Sequence, residues 1–187
     1  GIAIGCLLFC TALLLSQHWG MWLSNSDDPS ILQHSLSETR RDAAEQGRFW
    51  LIPVYLMAQL PYAFGSWAIA NAIKIAVNGA VLLSFTVFIA RLVDTRTGLL
   101  AGLVWLAFID VSPGYYSPFH GYLMMFNIEF AAMFTAFSWY IKKVRHHSDT
   151  GLIIGPYVLF AFAILAYEPM LFYAGIFPLI TLVTQAS

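Results

Sequence analysis

The chain has 187 residues, of which 59% are hydrophobic and only 10% charged, and its mean hydropathy is +0.72. A water-soluble domain of this size needs far more charge to cover its surface, so lipid is the expected solvent for much of it. A formal net charge of −1 excludes the basic balance that a nucleic-acid partner calls for.

A helix needs about 20 apolar residues to cross a bilayer. On that measure the chain reads as an all-α, polytopic integral membrane protein of about six spans, forming one transmembrane domain over residues 1–187. The spans are placed at about residues 1–23, 66–90, 97–109, 119–141, 152–166 and 170–184. No internal repeat or low-complexity tract interrupts them. The chain opens inside one apolar stretch and closes just after another, so it is expected to be a piece of a longer protein.

The first span lacks the basic leader and small-residue cleavage site of a secretory signal. Cys6 and Cys10, one helical turn apart within it, read as small apolar-facing side chains rather than a disulfide or metal pair. A long polar loop follows, residues 24–65, and opens on Asp27-Asp28-Pro29. A charged, amphipathic helical stretch comes next, from Ile31 to Gln46, then Gly47-Arg48-Phe49-Trp50. Residues 49–62 are apolar but short, and carry Pro53 and Pro61, which suits an interfacial helix better than a crossing.

The second span carries Lys74 about a third of the way along, with Asn71 and Asn78 on the same helical face. The fourth carries Glu129 near its middle, with Asn127 close by and His120 toward its start. Charges inside a membrane are costly and generally functional. Lys74 and Glu129 stand at similar depth in spans that cross in the same direction, so they are expected to touch or share one polar cavity. Arg91 and Arg96 follow the second span, and Lys142, Lys143 and Arg145 follow the fourth. With six spans both clusters face one side, and excess Lys and Arg marks it as cytoplasmic. His146 and His147 belong to that basic loop. The loop 24–65 and the Tyr167-Glu168-Pro169 turn then face away from the cytoplasm.

Two readings of Asp27-Asp28 stand side by side. An Asp before Pro29 is an ordinary helix start. Two adjacent carboxylates also raise one pKa, which suits a proton acceptor, and they could bind a divalent cation. Arg48, beside an interfacial helix, reads as an anchor at headgroup depth. Glu168 is either a solvated helix end or part of a pocket. His34 and His120 are surface histidines or pocket residues.

On Asp27-Asp28, Gly47-Arg48-Phe49 and Tyr167-Glu168 the chain resembles the GT-C class of membrane glycosyltransferases. Within that class it is similar to the bacterial O-antigen glucosyltransferase (GtrII-like) group. Members have an acidic pair after the first span, a Gly-Arg-aromatic element further along the same loop, and a Tyr-Glu-type pair at the outer end of a later span. Pro29 stands where many have an aromatic residue. The resemblance implies the N-terminal part of a GT-C-type fold in the bacterial inner membrane, with its active loop on the periplasmic or extracellular side. It implies transfer of a sugar from a polyprenyl-phosphate donor to a glycan or other hydroxyl acceptor, with Asp27 or Asp28 as catalytic base. Arg48, Tyr167, Glu168, His34 and His120 would bind substrate. Donor sugar, acceptor and metal requirement stay open. The competing expectation is a transporter or flippase-like protein whose polar path is lined by Lys74 and Glu129.

Overall fold

The computed structural model describes residues 35–46, 66–108, 125–145, 154–166 and 168–186, together with Gly5, Phe9, Tyr55 and Gln59 singly. Regular structure among the described residues is helical throughout, so the fold is all-α. The first expected span lies outside the described residues except for Gly5 and Phe9. So does the 49–62 segment, except for Tyr55 and Gln59; all four singly described residues are helical.

Helix α1 (Leu36–Gln46) lies within the stretch expected to be helical. Ser35 and Glu38 close a capping box: the Ser35 N–H donates to Glu38 Oε2 at 2.6 Å, and the Glu38 N–H donates to Ser35 Oγ at 3.3 Å. Thr39 and Ala43, one turn apart, form its buried stripe.

The remaining helices run up and down. They are α2 (Trp67–Leu92), α3 (Thr95–Phe108), α4 (Met125–Arg145), α5 (Ile154–Ala166), a 3-10 helix (Glu168–Gly175) and α6 (Ile176–Ala186). Asp94 makes the tight turn from α2 to α3 by accepting from the N–H groups of Arg96 and Thr97 at 2.8 and 3.0 Å, and from the Thr97 hydroxyl. The Thr97 backbone bond, first among these contacts, holds the exposed Asp94 carboxyl below its ordinary 3.8. A depressed folded-state pKa means this cap contributes fully above pH 3.8 and is lost as pH falls through the lower folded-state value.

Ring contacts fix the directions. Phe85 meets Trp105 at 4.6 Å and Phe134 at 5.2 Å, and Phe88 meets Phe137 at 5.6 Å. Helices α2 and α4 are therefore parallel, with α3 antiparallel to α2. Phe137 meets Phe160 at 5.5 Å and Phe177 at 5.0 Å, while Tyr140 meets Tyr157 at 5.7 Å. Helix α5 thus runs against α4, and α6 runs with it, since the Tyr140 hydroxyl lies 2.9 Å from Thr181 Oγ1. Helix α4 is the central element, packed on α2, α5 and α6. Its fully buried Met133, Ala136, Phe137 and Ile141 form the middle of the core.

One close approach depends on a missing side chain. A Cβ at the buried Gly98 would meet the Ala90 Cβ at 2.6 Å and the Thr86 carbonyl oxygen at 2.7 Å. Backbone cannot give way there as a side chain can. Gly98→Ala is expected to push α3 off α2 and cost about 1–3 kcal/mol, as overpacking does. Gly155→Ala meets only the ring of the partly exposed Trp139, which can turn aside, and should cost less. Thermal unfolding of the two variants checks the order.

Length sets a limit on the expected spans. Among the described residues, only α2, over Ile75–Leu92, is long and apolar enough to cross a membrane by length and composition. The 14 residues of α3 and 13 of α5 reach about 20 Å at 1.5 Å per residue, short of a bilayer's hydrocarbon core of about 30 Å.

Candidate functional site

Polar side chains gather inside the bundle where the middle of α2 meets the N-terminal end of α4. Asn78 and Asn127 are 8% and 5% exposed, and Asn127 Nδ2 donates to Asn78 Oδ1 at 3.2 Å. An amide pair bridging two helices in apolar surroundings fixes their register. It lies where the sequence placed its polar stripe, since Asn78 is one turn beyond Lys74.

Two residues past Asn127 is Glu129, which is only 1% exposed. Neither carboxyl oxygen has a hydrogen-bond partner among the described residues. Two residues carry a side chain about 200° round an α-helix. While Asn127 and Phe134 turn to α2, Glu129 therefore shares the face of Met133, Ala136 and Tyr140. That face meets α5 and α6: Tyr140 contacts Tyr157 and Phe177, and its hydroxyl lies 2.9 Å from Thr181 Oγ1. Extending the antiparallel α4–α5 register of Tyr140 with Tyr157, and Phe137 with Phe160, brings the backbone at Glu129 level with the C-terminal end of α5.

Of the residues singled out from sequence, Asp27, Asp28, His34, Arg48, His120 and Tyr167 lie outside the described residues. Lys74 and Glu168 have described backbone only. Lys74 is on α2, one turn before Asn78, and Glu129 is half a turn beyond Asn127 on α4. The parallel register then separates them by about six residues, or ~9 Å along the bundle. A direct Lys74–Glu129 pair would also have to reach round α4. Among the described residues no three His, Cys, Asp or Glu cluster as a metal site would need, and Asp27-Asp28 lies beyond them.

The opposite end of the bundle is basic. Arg91, Arg96, Lys142, Lys143 and Arg145 collect there, as the alternation of the helices requires. Arg91 Nη1 donates to the Ser138 carbonyl at 3.0 Å, and Arg145 Nη2 donates to the Leu92 carbonyl at 3.2 Å, tying α2 to α4. Between these helices runs a groove with a cavity volume of about 510 Å³. Sequence reasoning took its cations as topology signals alone. The signal for the groove was present in Ser84, Val87 and Arg91 on α2 and in Thr135, Ser138 and Lys142 on α4, each set spaced three or four apart.

Comparison of the chain with protein-family models, curated proteins and solved structures finds no match.

Proposed function

We propose that the chain is a polytopic membrane glycosyltransferase of GT-C type. It moves a sugar from a polyprenyl-phosphate-linked donor to a glycan or other hydroxyl acceptor on the non-cytoplasmic face. The observation that carries this reading is the separation of the bundle's ends. Buried Asn78, Asn127 and Glu129 lie around the N-terminal end of α4, and the five cations gather where α2 and α4 end and α3 begins. The outward faces between them are apolar: Leu100, Val104, Val158, Leu165, Leu179 and Leu182 are each more than half exposed. Such a surface suits lipid, and the basic end suits the cytoplasmic side.

In this reaction the acceptor oxygen attacks the anomeric carbon, and the bond from that carbon to the phosphate oxygen breaks. The acceptor proton passes to Asp27 or Asp28, and polyprenyl phosphate leaves with the bonding electron pair. Arg48 holds the departing phosphate in a two-pronged contact. The buried amides and Glu129 supply polar groups toward the same end, where sugar hydroxyls need partners.

Membranes incubated with a radiolabelled polyprenyl-phosphate sugar test the reaction, wild type against Asp28→Asn. Two further results are expected. Ser37 is exposed on α1. As the sole cysteine of a chain lacking Cys6 and Cys10, it should react with a membrane-impermeant maleimide in intact cells. Labelling only after permeabilisation would overturn both topology and reaction. Arg48→Lys keeps the charge but loses the planar fork, so it should slow transfer almost as much as Arg48→Ala, by about 10²-fold. Normal kinetics in the Ala variant would make Arg48 an anchor.

The buried carboxyl of Glu129, with no hydrogen-bond partner among the described residues, favours a second reading, a carrier or flippase-like protein that moves a proton or solute past that group. Uptake into proteoliposomes that depends on Glu129, without sugar transfer, would select it.

A further inference from the structure

The groove between α2 and α4 joins an apolar channel to a cationic mouth. Ala80, Leu83 and Val87 line its α2 wall, and Arg91, Lys142 and Lys143 stand at the end nearest the helix C-termini. The α2 wall runs from Ala80 to Arg91, about 16 Å at 1.5 Å per residue, close to the thickness of one hydrocarbon leaflet. Among the described residues no acidic side chain lines it. Among the described residues the ion pairs are those of Arg41 with Asp42 and Glu45, so the three cations at the mouth have no carboxylate partner there. Ser138, 3% exposed, also lines the groove, and its hydroxyl has no hydrogen-bond partner among the described residues. Trp139 lies on the same wall, 38% exposed, and Trp is the residue that settles at headgroup depth.

We infer that this groove seats an anionic phospholipid of the cytoplasmic leaflet, on the membrane reading given above. One acyl chain lies along Ala80, Leu83 and Val87, and the headgroup phosphate meets Arg91, Lys142 and Lys143. Arg91 spends one N–H on the Ser138 carbonyl and keeps others for phosphate. Charge complementarity selects the occupant: a zwitterionic lipid would bring its own cation to a mouth that already holds three.

The test is native mass spectrometry of the detergent-purified chain with equal phosphatidylglycerol and phosphatidylcholine. The wild type should retain phosphatidylglycerol preferentially. Lys142→Gln with Lys143→Gln leaves the Arg91–Ser138 bond intact and should lower that preference about 30-fold, the worth of two interfacial cations. Thr135 is exposed on the groove wall, so Thr135→Trp should fill the channel without disturbing the core, and lose both lipids. Phosphatidylglycerol should raise the melting temperature of the wild type, and inorganic phosphate at equal concentration should not. Equal retention of the two lipids by the wild type would overturn the site. So would an unchanged preference in the lysine variant, lipid retention by Thr135→Trp, or a phosphate-induced shift matching that of the lipid. Release of the chain from membranes by alkaline carbonate would overturn the membrane reading as well, whereas an integral but headgroup-blind chain overturns the lipid site alone.

Discussion

Asp28→Asn is expected to lower sugar transfer by about 10²-fold or more while the chain still inserts and folds. The substitution separates the two roles an acidic pair can have before Pro29. Asn caps a helix as well as Asp does, so a purely structural carboxylate would be replaced at almost no cost. A base cannot be replaced that way, because an amide does not take the acceptor's proton at any working pH. Asp27→Asn is the necessary companion. The two are adjacent in sequence, and either can be the one that accepts. The double variant should be no worse than the more damaging single one, since both act on the same step. Full transfer in both singles and the double would end the base assignment and leave the pair as a helix start.

The helices were largely legible in the sequence, and their mutual arrangement was not. Helix α2 was expected over 66–90 and runs Trp67–Leu92, because a continuous apolar run between Ser66 and Asp94 leaves little choice of ends. Helix α5 begins within two residues of its expected start. The sixth expected span, 170–184, divides into a 3-10 helix up to Gly175 and then α6 from Ile176. Pro178 explains the division: it has no N–H to give the carbonyl four residues back, so it is tolerated in the first turn of a new helix rather than inside an old one. That signal was open to inspection. The facing of α2 was hidden for a different reason. Beyond the Asn71, Lys74 and Asn78 stripe it is apolar on nearly every side, so periodicity there cannot say which side meets α4, α3 or lipid. The Asn78–Asn127 bond, and the meeting of the two spaced sets that wall the groove, follow from a register between segments 49 residues apart, which no local pattern encodes. Depth suggested that Lys74 and Glu129 belong together; the phase of α4 puts Glu129 on its α5 and α6 face, and the Lys74 side chain lies outside what is described.

That phase gives the sign of the second large effect. Breaking a buried ion pair by neutralising one partner is strongly destabilising, about 3–5 kcal/mol, because the other charge is left stranded. Neutralising a buried polar group that has no partner removes a desolvation penalty of about 1–3 kcal/mol instead. Glu129 is 1% exposed, with neither oxygen hydrogen-bonded among the described residues, so the second case is expected. Glu129→Leu, similar in bulk and without polar atoms, should raise thermal stability in detergent. Glu129→Gln should raise it less, since an amide in the same place still wants partners. Glu129→Lys should lower it, having brought a longer side chain and a charge of the other sign among Met133, Ala136 and Tyr140. Stability lost in the Leu and Gln variants, with part of it recovered by Lys74→Met in the same chain, would instead mark the two residues as a pair. Transfer activity supplies the second readout. A carboxyl kept buried at a cost to stability is kept for its function, so Glu129→Leu should be at once more stable and less active. A variant that gains stability and loses no activity would make Glu129 a feature of the core alone.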